Sequence, residues 1–348
     1  MNKARILVVD DSVVVRRTVS DELARDPALE VVGTAANGKI ALAKITQVNP
    51  DIVILDIEMP EMDGLETLRH LRKTHPKLPV IMFSSLTERG AITTLEALAL
   101  GASDYFAKPS NSVGLDASLA VIRDELVPAI KALCKVSPAV SLPPRLATRP
   151  GSTSKIEVVA IATSTGGPNA LAELFRGIPN SFPVPFLIVQ HMPPMFTKLL
   201  AERMSAQCAI PFHEAVPGDV LKPGQAWIAP GNYHLTASRV GQEVRVQTNQ
   251  NPPENSCRPA ADVLFRSVAE VFGSAALCVV LTGMGRDGLR GCEAICAAGG
   301  QVIAQDEATS VVWGMPGFVA RAGLADCILP LSLIAEEINR RVAGKPLP

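Results

Sequence analysis

The chain has 348 residues and a formal net charge of −1, from 33 basic and 34 acidic side chains; 47% of residues are hydrophobic and 19% charged. That is enough apolar material for two cores of ordinary domain size, and the charge balance argues against a general nucleic-acid binder or a polybasic membrane anchor. No apolar run reaches the ~18 residues of a membrane span, and Met1-Asn2-Lys3-Ala4-Arg5 lacks the apolar core of a secretory signal, so a cytoplasmic protein without membrane insertion is expected. The 7 cysteines are scattered and odd in number. Cys292 and Cys296 have no nearby histidine or second pair to complete a zinc set, so reduced, buried thiols are expected.

In chain order, Arg5-Ile6-Leu7-Val8-Val9-Asp10 predicts a buried strand that ends on Asp10 and Asp11. Val13 to Ala24 has helical spacing. Val31 to Ala35 predicts a second strand and Asn37 to Thr46 a second helix. Asp51 to Asp56 is a third strand ending on an acid, Pro79 to Ser84 a fourth ending on a hydroxyl. Gly101 to Pro109 carries a short fifth strand that ends on Lys108. Alternating strand and helix imply a doubly wound, five-stranded parallel sheet. Asp10, Asp11, Asp56, Ser84 and Lys108 then share one edge. Three carboxylates in one pocket repel each other and call for a hard dication such as Mg²⁺. Beside it, Asp56 can accept a phosphoryl group, whose oxygens Lys108 and Ser84 can hold.

Residues 3–125 resemble the response-regulator receiver domain. The resemblance rests on Asp10 and Asp11, Asp56-Ile57-Glu58-Met59-Pro60, Met62-Asp63-Gly64, Ser84, Tyr105 and Lys108-Pro109. It implies Asp56 as phospho-acceptor, Ser84 and Tyr105 as switch positions, Mg²⁺ held by Asp10, Asp11 and Asp56, and a histidine kinase as phosphodonor.

Leu115 to Leu133 predicts the last helix of this half. Val136 to Ser154 is rich in Pro, Ser and Thr, which predicts a semi-extended linker. The expected organisation is therefore 1–135, a linker over 136–154, and a second domain over 155–348. The second half restarts with Val158 to Thr163, an apolar run that predicts a buried parallel strand. Ser164-Thr165-Gly166-Gly167-Pro168 follows as a tight turn, with Pro168 in the first turn of a helix. Ser164 thus stands at the carboxyl edge of a strand, as a nucleophile, a helix cap or a phosphate-cradle serine. Phe186 to His191 predicts the next strand, Phe196 to Met204 a helix, and residues 225–247 short strands, with a hairpin extension within 231–256. Ala260 to Phe272 predicts a helix, Ala276 to Leu281 a central strand, Cys292 to Ala298 a helix and Gln301 to Gln305 a further strand.

Ser164, His191 and Asp287 fall at or just beyond three strand ends, the parts of a nucleophile–base–orienter set. The order Ser…His…Asp and the lack of Gly-x-Ser-x-Gly set it apart from the α/β-hydrolases. Neither glycine-rich loop has the Gly-Lys-[Ser/Thr] of a Walker site. His213 and His234 are rivals to His191, and Asp287 in a glycine loop is also a natural turn former. Backbone N–H groups near Thr165 and Met284 are candidate oxyanion donors.

Residues 156–345 are similar to the catalytic domain of the chemotaxis protein-glutamate methylesterases, which are also protein-glutamine deamidases. The segments that carry this are Ile161 to Pro168, Gln190-His191-Met192-Pro193, Leu281 to Gly288, Pro230-Gly231 with His234, and Gln305 to Met315-Pro316. The resemblance implies Ser164 as nucleophile, His191 as base, Asp287 as orienter, and Thr165 and Met284 as oxyanion contributors. It also implies methyl-accepting chemoreceptors as substrate and no cofactor for ester hydrolysis. Where many relatives have His-Arg-Pro-Ser, this chain has Cys257-Arg258-Pro259-Ala260. The expectation is a monomeric, phosphorylation-regulated methylesterase and deamidase of α/β class, with a doubly wound, mostly parallel catalytic domain. The rivals are a serine hydrolase acting on another ester and a non-catalytic receptor-binding module.

Overall fold

The structure is a computed structural model that describes residues 3–84, 87–108, 119–136 and 154–344. The chain divides into two compact units, Met1–Val140 and Ser141–Pro348.

In the first unit β1 (Ala4–Val9), β2 (Leu29–Ala35), β3 (Ile52–Asp56), β4 (Val80–Ser84) and β5 (Asp104–Ala107) form a sheet of order β2-β1-β3-β4-β5. Every pairing is parallel. Central β3 is buried along its whole length, because helices cover both faces of a parallel sheet; its run of Ile, Val and Leu follows from that. The helices α1 (Val13–Leu23), α2 (Gly38–Val48), α3 (Gly64–Thr74) and α4 (Glu88–Ala99) are capped by Ser12, Asn37, Asp63 and Thr87. Each of these side chains accepts from an orphan N–H of the first turn. The end of the predicted last helix is a π-turn, Ile122–Leu126, running into α5 (Val127–Leu133). Pro109, residues 115–118 of that helix and residues 137–153 of the predicted linker lie outside the described residues.

The second unit has a seven-stranded sheet of order β14-β13-β12-β6-β7-β9-β8 among the described residues. Its strands are β6 (Val158–Thr163), β7 (Phe186–Gln190), β8 (Phe212–Glu214), β9 (Ala226–Ile228), β12 (Ala276–Val280), β13 (Gln301–Gln305) and β14 (Cys327–Leu329), all paired parallel. The predicted extension is an antiparallel hairpin of β10 (His234–Val240) and β11 (Glu243–Asn249). The helices are α6 (Gly167–Arg176), α7 (Phe196–Gln207), α8 (Ala261–Phe272), α9 (Leu289–Ala297), α10 (Met315–Arg321) and α11 (Leu331–Val342). From β6 the chain moves through β7 to one side of the sheet, then returns to β12 and moves to the other. The crevice at the carboxyl ends of β6 and β12 is therefore the topological switch point, where open α/β sheets bind ligands. The expectation of buried thiols holds for Cys278, Cys292 and Cys296, whereas Cys134, Cys208, Cys257 and Cys327 are half-exposed.

Phe265 on α8 is fully buried in the core that α8, α9, β6 and β12 share. Phe265→Ala should destabilise this unit by about 3–5 kcal/mol through cavity formation. Urea unfolding followed by tryptophan fluorescence measures it selectively, since both tryptophans, Trp227 and Trp313, belong to this unit. A loss under about 1 kcal/mol contradicts the packing described.

Candidate functional site

Ser164 is the first residue beyond β6 and His191 the first beyond β7. The last paired residues are Thr163 and Gln190, and His191 N–H donates to Thr163 O at 3.2 Å. Adjacent strands lie ~4.8 Å apart, so the two residues leave the sheet side by side. On the other flank, Ser164 N–H donates to Thr282 O at 3.0 Å, which draws the loop after β12 against the serine. Gly283 permits this approach: a Cβ there would lie 2.9 Å from Ser164 Cβ and 2.5 Å from Met315 Sδ. Gly166 caps α6 in the left-handed region with φ 78°, and a Cβ would overlap Val311. Buried polar side chains tie these turns together. Gln190 Nε2 donates to Ser164 O (3.1 Å) and His191 O (3.2 Å), Thr163 Oγ1 donates to Thr282 O (2.8 Å), and Gln305 Oε1 accepts from Thr282 N–H (2.7 Å).

His191 Nε2 and Asp287 Oδ2 are 2.8 Å apart. Asp287 is buried, and its carboxylate also accepts from the backbone N–H of Ala261 (2.6 Å), Asp262 (3.1 Å) and Gly288 (3.0 Å) and from Asn255 Nδ2 (3.0 Å). Two of these amides belong to the first turn of α8, whose positive end favours an anion. Burial by itself raises the Asp287 pKa, but the His191 hydrogen bond and charge, with the α8 amides, hold it below the ordinary carboxylate value. Burial by itself lowers the His191 pKa; the hydrogen bond to Asp287, and a contact with the Cys257 thiol, raise it instead. The opposite ring nitrogen, Nδ1, lies 3.6 Å from Cys257 Sγ. Among the described residues no hydrogen bond joins the Ser164 hydroxyl to the ring.

The structure thus brings Ser164, His191 and Asp287 to one crevice. Thr165 is buried there, its carbonyl accepting from Thr282 Oγ1 at 3.0 Å, and Met284 lies half-buried on the 281–288 loop. Asp287 stands farther from its strand end than its pairing with His191 suggests, because the loop reaches back over α8. His234 does not join the group. It is fully buried, with Nδ1 accepting from Ala260 N–H (3.2 Å) and Nε2 facing Pro252 O (3.1 Å). His213 lies near Trp227, its ring tilted by 40° with 5.7 Å between centroids.

Sequence reading missed Asn255, whose Nδ2 bridges Asp287 and Asp262 (2.9 Å). It also missed Cys257 as a neighbour of His191. No sequence pattern marks them; only the structure shows that Asn255 (φ 51°) and Ser256 (φ 63°) are both left-handed, a backbone form that clusters at functional sites. His191, Cys257 and Asp287 offer donor atoms within 4.8 Å of one another. Nε2 lies 2.8 Å from the carboxylate and Nδ1 3.6 Å from the thiol sulfur.

In the first unit, the carboxyl ends of β1 and β3 hold the other cluster. Lys108 Nζ lies 2.6 Å from Asp56 Oδ2 and 3.1 Å from Asp10 Oδ2. Both carboxylates are buried, with this one ammonium as their shared charged partner. Asp10, Asp11 and Asp56 each place an oxygen within 4.8 Å of the others. Three converging carboxylates with a single ammonium among them fit a hard dication. Burial and the Asp10 charge push the Asp56 pKa up to about 6, against the pull of Lys108. Ser84 is buried, its Oγ 3.2 Å from Gly90 O and 2.7 Å from Thr94 Oγ1 on α4. Tyr105 is half-buried on β5; burial, then Asp104 and Glu125, push its pKa well up.

These two units define a receiver joined to an α/β enzyme. The family model for the response regulator receiver domain matches residues 6–120, and that for CheB methylesterase matches residues 159–338. The chain belongs to the CheB methylesterase family. It is 58% identical to a protein-glutamate methylesterase/protein-glutamine glutaminase of Trichodesmium erythraeum, over 98% of this chain and 100% of the relative. It is 49% identical to one of Nocardioides sp., over 97% and 95%. The crystal structure of the Thermotoga maritima CheB methylesterase catalytic domain superposes with TM-score 0.52 at 40% identity, covering 53% of this chain and 98% of that one.

The raised His191 pKa has a measurable sign. The His191–Asp287 ion pair stabilises the fold fully below the unfolded histidine value of ~6.5, and that contribution is lost as pH rises through the higher folded value. By ¹⁵N NMR the His191 ring should titrate above ~6.5, and Asp287→Asn should lower the midpoint. A wild-type midpoint at or below ~6.5 contradicts the pairing.

Proposed function

We propose that this chain is a phosphorylation-regulated serine hydrolase that removes methyl esters from glutamyl side chains of methyl-accepting chemoreceptors and deamidates glutamines by the same steps. The observation that carries the reading is the 2.8 Å His191–Asp287 pair beside Ser164 at the switch point of the second sheet. A serine alcohol is a weak nucleophile near neutral pH and needs a base whose tautomer is held. Asp287, kept ionised by α8, holds Nε2–H and leaves Nδ1 as the basic nitrogen, the reverse of the nitrogen roles in serine proteases.

Ser164 Oγ attacks the ester carbonyl as its proton passes to His191. The tetrahedral oxyanion forms against backbone N–H groups at Thr165 and Met284, where preorganised donors lower the barrier. His191 returns the proton to the departing methanol, or to ammonia when the substrate is an amide. Water, deprotonated by His191, then attacks the acyl-serine and releases glutamate. In this proposal the chain is organised as receiver 1–135, linker 136–154 and catalytic domain 155–348, acting as a cytoplasmic monomer.

Asp10, Asp11 and Asp56 are the residues to hold Mg²⁺, which when bound offsets the charge of a phosphoryl group on Asp56. Lys108 stays within ion-pair reach of that group, and the kinase of the pathway is the donor. Phosphorylation adds about two negative charges at Asp56, which favours inward movement of Ser84 and Tyr105. We place the control of hydrolysis in this step.

Methanol release from methylated receptor membranes tests the reading. Ser164→Ala should lose at least about a thousandfold in turnover. Asp287→Asn should lose roughly a hundred- to ten-thousandfold in kcat with a smaller change in KM. Retained turnover in folded Ser164→Ala protein rules out the serine as nucleophile.

For regulation, the full chain with a small-molecule phosphodonor and Mg²⁺ should accelerate about 5- to 150-fold, the range of ordinary allosteric coupling. Asp56→Asn should ignore the donor. Equal rates with and without it in the wild type would leave the receiver without control over hydrolysis.

A further inference from the structure

Cys257 lies between β11 and α8, with its sulfur beside the His191 ring. Burial pushes Cys134 up to about 12 and Cys327 up to about 11. Cys208, Cys278 and Cys292 are also raised by burial, and Cys296 is buried. Cys257 is half-exposed, with Sγ 3.6 Å from His191 Nδ1 and 3.4 Å from Asn255 O. Its backbone is pinned on both sides. Cys257 N–H donates to Glu254 O at 2.8 Å, and Glu254 N–H donates to Cys257 O at 3.1 Å. The next side chain, Arg258, holds Asn232 Oδ1 (2.6 Å) and the carbonyls of Gln250 and Asn251 (3.0 Å each).

The thiol therefore stands beside Nδ1 of an imidazole whose other nitrogen is paired with the Asp287 carboxylate. This is the arrangement that activates a thiol, since the imidazole can take its proton and the carboxylate stabilises the imidazolium. The thiol also lies at the ring nitrogen that the serine mechanism needs. We propose that Cys257 is a peroxide-reactive thiol whose oxidation to sulfenic acid switches the hydrolase site off. The inference rests on the hydrolase reading above.

The chemistry balances. The Cys257 proton moves to His191 Nδ1, and the thiolate sulfur attacks one peroxide oxygen. An S–O bond forms, the O–O bond breaks, and the departing hydroxide takes the proton from the imidazolium and leaves as water. Sulfur is oxidised to the sulfenic acid as hydrogen peroxide is reduced. The new S–OH lies against Nδ1, where its hydrogen bond keeps that nitrogen from Ser164. A small-molecule thiol reverses the modification through a mixed disulfide.

The test uses the full chain treated with stoichiometric hydrogen peroxide, with two readouts. The first is mass spectrometry with a sulfenic-acid-selective dione probe; the second is the ratio of methanol release after and before treatment. Label should fall on Cys257 and drop at least about tenfold in His191→Ala, which removes the proton acceptor. Wild-type turnover should fall at least about tenfold and recover with dithiothreitol, while the ratio for Cys257→Ser stays near one. Label on other cysteines alone, label on Cys257 that does not depend on His191, or an undiminished turnover ratio in labelled wild type each overturn the proposal. Untreated protein that releases no methanol overturns the switch by way of the hydrolase reading. Labelling that still depends on His191 would show that this failure was of the reaction and not of the thiol.

Discussion

The Asp287 carboxylate holds the second unit's crevice together. It accepts from five donors: His191 Nε2, Asn255 Nδ2 and the backbone amides of Ala261, Asp262 and Gly288. Helix α8 needs it. The first N–H groups of any helix lack internal partners, and Ala260 at the N-cap has no side chain to supply one. Asp287 supplies the cap from a loop 26 residues on from Ala261. The helix in return keeps the carboxylate ionised in a buried place, where an unpaired charge would otherwise take up a proton. Helix stability and histidine orientation thus depend on one group.

A second carboxylate stiffens the arrangement. Asp262 accepts from Gly291 N–H at 2.7 Å and shares the Asn255 amide with Asp287. Burial and the neighbouring negative charge raise its pKa. The Asn255 amide, with a hydrogen for each carboxylate, relieves a repulsion that two buried anions would otherwise suffer. The turn that carries Asn255 also presents Cys257 to the imidazole. The support of the orienter and the placement of the thiol are consequences of one left-handed turn.

The two units reach chemistry by the same route. Each sheet reverses its strand order once, β1/β3 in the first and β6/β12 in the second, and polar residues collect where the strands end. The first crevice gathers anions around one lysine. The second gathers a hydroxyl, an imidazole and a carboxylate around two glycine-rich turns. Parallel strands buried on both faces leave only their ends free to carry polar side chains, so both sites lie at strand ends.

The strands were legible because continuous apolar runs such as Val158–Thr163 and Ile52–Asp56 have few other readings, and Ser164, His191 and Asp56 were legible as the polar residues that end them. Edge strands β8 and β14, three residues each, carry too little pattern to read, and helices α10 and α11 lay beyond the last element predicted. Asp287 was placed by its glycine-rich motif, but its five partners come from four separate segments that no local pattern relates. Asn255 and Cys257 lie on a turn whose sequence says nothing of what it faces. Amino-acid order alone determined the two alternating α/β halves and the residues at their strand ends, since burial periodicity and strand termination are local. Tertiary structure alone decided which ring nitrogen meets Asp287, that α8 holds the carboxylate charged, and that a thiol stands against the base, since each depends on contacts between segments distant in sequence.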